Sequence, residues 1–109
     1  MAARELEATL SWMSERPLEP RARVVVKHTT RTTRAIVEEL RSVVDIETLA
    51  DAPSPPRFEL NDIGRVTLRL AEPLVVDPYT QNRATGAFIL IDEATNETVG
   101  AGMVVSVTA

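Results

Sequence analysis

A chain of 109 residues with 44% hydrophobic and 26% charged side chains fits one globular domain, too short for a second and too apolar for overall disorder. Its 12 basic and 16 acidic residues give a formal charge of −4, which repels phosphate backbones and excludes a strongly basic nucleic-acid binder. The absence of cysteine excludes disulfides, thiolate metal sites and cysteine nucleophiles, and no apolar run approaches the ~20 residues of a membrane helix.

Val and Thr are abundant, 13 and 12 residues, and β-branched side chains favour pleated, half-buried strands. Seven prolines and several Asp/Asn/Gly clusters cut the chain into short pieces, the pattern of an all-β sandwich or barrel. The first predicted strand runs from Ala8 to Met13, with Leu10 and Trp12 on one face, and ends before Pro17. A polar loop through Pro20 leads to a second strand, Arg21 to His28, carrying Val24, Val25 and Val26. Thr29 to Thr33 holds neither Gly nor Pro and is either a hairpin loop or a continuation of both strands. Arg34 to Val44 has some helical spacing, but its β-branched residues favour a long strand that slips register near Glu38-Glu39; a helix is the alternative.

Residues 45–60, with Pro53, Pro55 and Pro56, are expected to form an exposed loop. Asn61-Asp62-Ile63-Gly64 is a turn signal that leads into Arg65 to Leu70, the most regular alternation in the chain. There Val66, Leu68 and Leu70 face a core, while Arg65 and Arg69 face solvent. Pro73 is expected to end this strand, leaving Leu74-Val75-Val76 as a short edge piece. Ala87 to Ile91 is apolar on both faces and so reads as central, and Asp92 to Glu97 is a hairpin turn. Thr98 to Thr108 closes the sheet. Val99, Ala101, Met103, Val105 and Val107 share one of its faces; Gly100 and Gly102 leave the other bare for a close neighbour.

The residues write no catalytic, cofactor-binding or metal-binding constellation. His28 is the only histidine, and no acid partner or serine stands at a suggestive spacing for a triad. Neither a phosphate-binding loop nor a dinucleotide fingerprint is present, and Gly100-Ala101-Gly102 lies inside a strand. Asp62, Asp77 and Asp92 suit turns better than a calcium site. With two Phe, one Tyr and one Trp, there are few rings on which bases could stack. Eleven of the twelve basic residues are Arg, which would suit bidentate contacts to carboxylates or phosphates but is better read as the codon bias of a GC-rich genome.

An ordered series of segments carries more. Asn61-Asp62-Ile63-Gly64-Arg65-Val66, Glu72-Pro73-Leu74 and Asp77-Pro78-Tyr79 are followed by Asn82 to Asp92, Thr95-Asn96 and Val99-Gly100-Ala101-Gly102-Met103. With Leu10-Ser11-Trp12-Met13, Thr32-Thr33-Arg34-Ala35 and Val44 to Leu49, the series covers about Glu7 to Val105. It resembles the last β-barrel domain of the GTPase (large) subunit of bacterial sulfate adenylyltransferase, a relative of elongation factors that in some bacteria is fused to an adenylylsulfate kinase. The Val-Gly-Ala-Gly piece is shared with elongation factors that carry tRNA; the Asn82-to-Asp92 block is more specific.

The resemblance implies a closed Greek-key barrel of about six antiparallel strands, residues 1–109 as one domain with a core over about 7–107. Closure removes edges that a Val/Thr-rich chain would otherwise expose. It also implies a parent that makes adenylylsulfate and pyrophosphate from ATP and sulfate, coupled to GTP hydrolysis. GTP and Mg would sit in a preceding GTPase domain and ATP in the small adenylyltransferase subunit, with no cofactor in this segment. The expected partners are that GTPase domain, the small subunit and, in fused forms, the kinase; no nucleic acid or membrane is expected. The opening Met1-Ala-Ala-Arg-Glu lacks an apolar signal core, which predicts a cytoplasmic protein. A barrel that binds aminoacyl-tRNA is the alternative.

Interface candidates then come from the exposed side chains. Arg65 and Arg69 could pair with acidic groups across a domain boundary or remain solvated. Asn82, Arg83 and Thr85 could meet a neighbour or satisfy turn backbone. Trp12, if only half covered, would be the strongest contact.

Overall fold

The alternation that marks Arg65 to Leu70 carries through most of the molecule in a computed structural model, which describes residues 2–44, 51–53, 55–76, 78–79, 81 and 86–108. The strands are β1 (Ala2–Trp12), β2 (Arg23–His28), β3 (Arg31–Val44), β4 (Asp51–Pro53), β5 (Ile63–Val75), β6 (Ala87–Ile91) and β7 (Thr98–Thr108). They pair antiparallel in the order β2-β6-β7-β1-β5-β3, and β3 returns to β2, so that six strands close a ring. The short β4 adds to the far end of β3, where Ser42, Val43 and Val44 meet Pro53, Ala52 and Asp51. The closed all-β barrel expected from the sequence is borne out. Among the described residues no helix is long and apolar enough to cross a membrane.

Every second side chain points into the ring. Leu6, Ala8 and Leu10 of β1 meet Val24 and Val26 of β2, Val37 and Leu40 of β3, Val66 and Leu68 of β5 and Leu90 of β6, all at most 4% exposed. No buried side-chain nitrogen or oxygen among the described residues lacks a hydrogen-bond partner, so this interior carries no uncompensated polar group.

Several expectations are sharpened or corrected. Residues 34–44 are strand, not helix, and β3 slips register between Val37 and Glu39 and again between Leu40 and Ser42. The first slip falls at Glu38, where the sequence alternation breaks. β1 begins at Ala2, earlier than the expected Ala8. Pro73 does not end β5, which runs on to Val75. Between Ala3 and Glu5 the β1–β5 register jumps from Leu74 to Arg69, and Pro73 lies in that irregular stretch, where its missing N–H costs no ladder bond. Thr29 and Thr30 alone join β2 to β3, because His28 pairs with Arg31. The turn is made by Thr29 at φ 54, a left-handed conformation uncommon for a β-branched residue and invisible to a search for Gly or Asn.

The expected exposed loop over 45–60 is corrected where it is described. Residues 51–53 form β4, and Phe58 is fully buried (0% exposed). Its backbone exchanges two hydrogen bonds with Leu18, each 2.9 Å, and Leu18 is also buried. Two proline-bearing loops thus each send one large apolar side chain into the core. Residues 45–50 and 54 lie outside the described residues.

In β7 the glycine face is the inner one: Gly100, Gly102 and Val104 are buried, while Ala101 and Met103 face out. The expected close neighbours are there. A Cβ on Gly102 would overlap the Phe88 ring, and one on Gly100 would lie 3.2 Å from Leu10 Cδ1.

Candidate functional site

With the interior filled, recognition falls to the outside of the ring, and strand register sorts the outward side chains into rows. Across β3, β5 and β1 the rows are charged: Ile36–Arg69–Glu5, Glu39–Thr67–Glu7 and Ser42–Arg65–Thr9. Here Glu7 accepts from Arg65 (Nη1 to Oε2, 3.1 Å) and from Arg41 (Nε to Oε1, 3.1 Å), and Arg69 Nε lies 3.1 Å from Glu38 Oε1. Arg65 and Arg69 are exposed on the solvent face, as expected, but their acidic partners belong to this barrel. Pairs this exposed stabilise the fold by no more than about 1 kcal/mol each, and they leave little unmet charge to attract a neighbour.

Trp12 is 5% exposed. Its indole Nε1 donates to the Arg16 carbonyl at 2.9 Å, and its ring lies 3.5 Å from where a Gly100 Cβ would stand. The half-covered state in which this ring would anchor a partner does not occur, so Trp12 is core. Asn82, Arg83 and Thr85 lie outside the described residues.

A different surface emerges across β5, β1, β7, β6 and β2. Its rows are Ile63–Ser11–Ala101–Ile89–Lys27 and Thr9–Met103–Ala87. They line an open groove of about 610 Å³ that also takes in Tyr79 and whose only charged lining residue among those described is Lys27. Ile63 is 47% and Met103 42% exposed, high for large aliphatic side chains on one face, where Thr9 and Ser11 of β1 lie between their strands. Burying the remainder of each would contribute roughly 1 kcal/mol per side chain. No linear stretch announces this surface, because each strand supplies only one or two of its residues. A contiguous apolar face among charged ones marks an interaction site.

Comparisons with known proteins agree with this architecture. The family model described as "GTP-eEF1A C-terminal domain-like" matches residues 5–105. The chain is 50% identical over 101 residues to a bifunctional enzyme CysN/CysC of Mycobacterium tuberculosis, covering 92% of this chain and 16% of that protein. It is 41% identical over 101 residues to sulfate adenylyltransferase subunit 1 of Alteromonas mediterranea, covering 93% and 21%. The chain thus spans about a fifth or less of these relatives. A crystal structure of Sup35 complexed with GDP superposes with a TM-score of 0.88 at 19% identity, over all of this chain and 26% of that one, a likeness of fold. The resemblance read from the sequence is therefore borne out, and the tRNA-binding alternative is less supported.

Proposed function

The chain belongs to the GTP-eEF1A C-terminal domain-like family, and from that premise we propose that it is the non-catalytic barrel of the GTPase subunit of a sulfate adenylyltransferase. The observation that carries this reading is the 50% identity to a CysN/CysC enzyme across 92% of the chain. In it, the parent enzyme converts ATP and sulfate to adenylylsulfate and pyrophosphate at the expense of GTP. GTP and Mg belong to a neighbouring GTPase domain, ATP to the small adenylyltransferase subunit, and a fused kinase to the bifunctional forms; the assembly works in the cytoplasm.

The barrel itself acts as a rigid spacer. Its packed aliphatic interior supports that role, since a solid core holds two outer faces at a fixed separation. The groove around Ile63 and Met103 is the face that packs on the GTPase domain of the same chain, because the matching relatives carry about four-fifths of their length outside the barrel. Chemistry is left to the neighbours.

The test is co-purification of the small subunit with the large subunit, intact and with the barrel removed. We expect the intact subunit to retain its partner and the truncated one to lose most of it, with sulfate adenylylation falling in parallel. Equal retention and equal activity would overturn the assignment.

A further inference from the structure

We propose that a second groove, centred on Ile36, docks an acidic segment of the small adenylyltransferase subunit, an apolar side chain flanked by carboxylates; this rests on the reading above. The groove holds about 330 Å³ between β2, β3 and β5, with Ile36, Leu70 and Ala71 in its floor and Arg23, Arg34 and Arg69 on its rim. Arg23, Ile36 and Arg69 are direct cross-strand neighbours, so their relative positions are set by the ladder. Arg21 borders the adjoining hollow beside Ile36 and Arg69.

Charge accounting separates these arginines. Arg34 Nε is 2.9 Å from Glu93 Oε1 and Arg69 Nε is 3.1 Å from Glu38 Oε1. The Arg21 and Arg23 side chains have no acidic partner among the described residues, although the whole chain carries a charge of −4. The backbone of each is fixed: Arg21 N donates to the Val37 carbonyl, and Arg23 pairs with Ile36 in the β2–β3 ladder. Arg21 is also kept at φ 71. Two guanidinium groups with no acidic partner among the described residues, beside an isoleucine that is 41% exposed, favour carboxylates with an apolar residue between them. A nucleic-acid backbone fits less well, because it offers no aliphatic side chain to cover the exposed Ile36.

Placement completes the argument. In the ring order β2-β6-β7-β1-β5-β3, the apolar groove centres on β7 and the Arg-rimmed groove on β3, half a turn apart. Two neighbours can therefore sit on the barrel at once without competing.

The experiment measures the affinity of the small subunit for the large subunit, wild type against Arg21→Glu/Arg23→Glu and against Ile36→Ser. The charge reversal is expected to weaken binding at least about tenfold in 0.1 M salt and only a few-fold in 0.5 M, since salt screens the lost attraction. Ile36→Ser is expected to weaken it at both salt concentrations. If either variant unfolds more than a few degrees below wild type, Arg23→Glu alone replaces it. Wild-type affinity in the folded variants overturns the proposal, as does capture of tRNA by wild type that is lost on charge reversal. A wild-type large subunit that binds no small subunit at either salt concentration overturns the underlying reading as well, and so is told apart from failure of the groove alone.

Discussion

Gly64→Ala is expected to destabilise this chain by about 3 kcal/mol or more, at or beyond the upper end of the usual overpacking range. Gly64 is buried at the start of β5, opposite Leu10 of β1 and Val43 of β3. A Cβ there would overlap the Ser42 carbonyl oxygen and lie 2.9 Å from Val43 Cα and 2.7 Å from Phe58 Cζ. Two of those three atoms are backbone, held by the ladder next to the second register slip of β3, so no rotamer change relieves the contact. Gly102→Ala is the informative control. Its nearest atoms all belong to the Phe88 ring, so adding Phe88→Leu should recover much of the loss, whereas no single side-chain change should rescue Gly64→Ala. Urea unfolding of the three variants reads both effects; full stability in Gly64→Ala would contradict the close approach of β3 and β5.

Phe58→Ala should cost about 3–5 kcal/mol and lower the unfolding temperature by more than about 10 °C. The ring is 0% exposed, and its tip reaches toward Gly64. Its backbone is pinned to Leu18 in the opposite loop, so the site can collapse only by drawing both loops inward. Truncation therefore leaves a hole at one end of the barrel. A loss below about 1 kcal/mol in thermal or denaturant unfolding would mean that this phenylalanine sits outside the core after all.

These two residues also mark where sequence reasoning stops. Phe58 stands in a stretch whose prolines correctly signal broken ladders, yet a broken ladder does not stop a side chain from turning inward. The pairing that turns it, with Leu18, joins residues far apart in sequence and carries no local signature. By contrast, Val66, Leu68 and Leu70 were legible because both faces of β5 are spelled out within six residues, and the slip at Glu38 because it breaks a period of two. In β7 the period was visible but its sense was not. Large Val and Met side chains look like core until the barrel places Leu10 over Gly100 and Phe88 over Gly102 and turns Met103 outward. That inversion hid the apolar groove, among whose other members Ile63, Ala101 and Ile89 come from three different strands. Arg65 and Arg69 were legible as solvent-facing, but their pairing with Glu7 and Glu38 depends on a register that no single strand encodes.

The account depends on a solid barrel that joins its parent through the face around Ile63 and Met103, and calorimetry of the large subunit carrying Ile63→Asp/Met103→Asp tests this most directly. Both side chains already face solvent in the barrel, so the same pair in this chain alone should shift its unfolding temperature by no more than a few degrees. In the large subunit, the account predicts that the barrel's transition separates from that of the GTPase domain and moves down toward the value of the barrel alone. A large subunit whose two domains still unfold together, at the wild-type temperature, would contradict it.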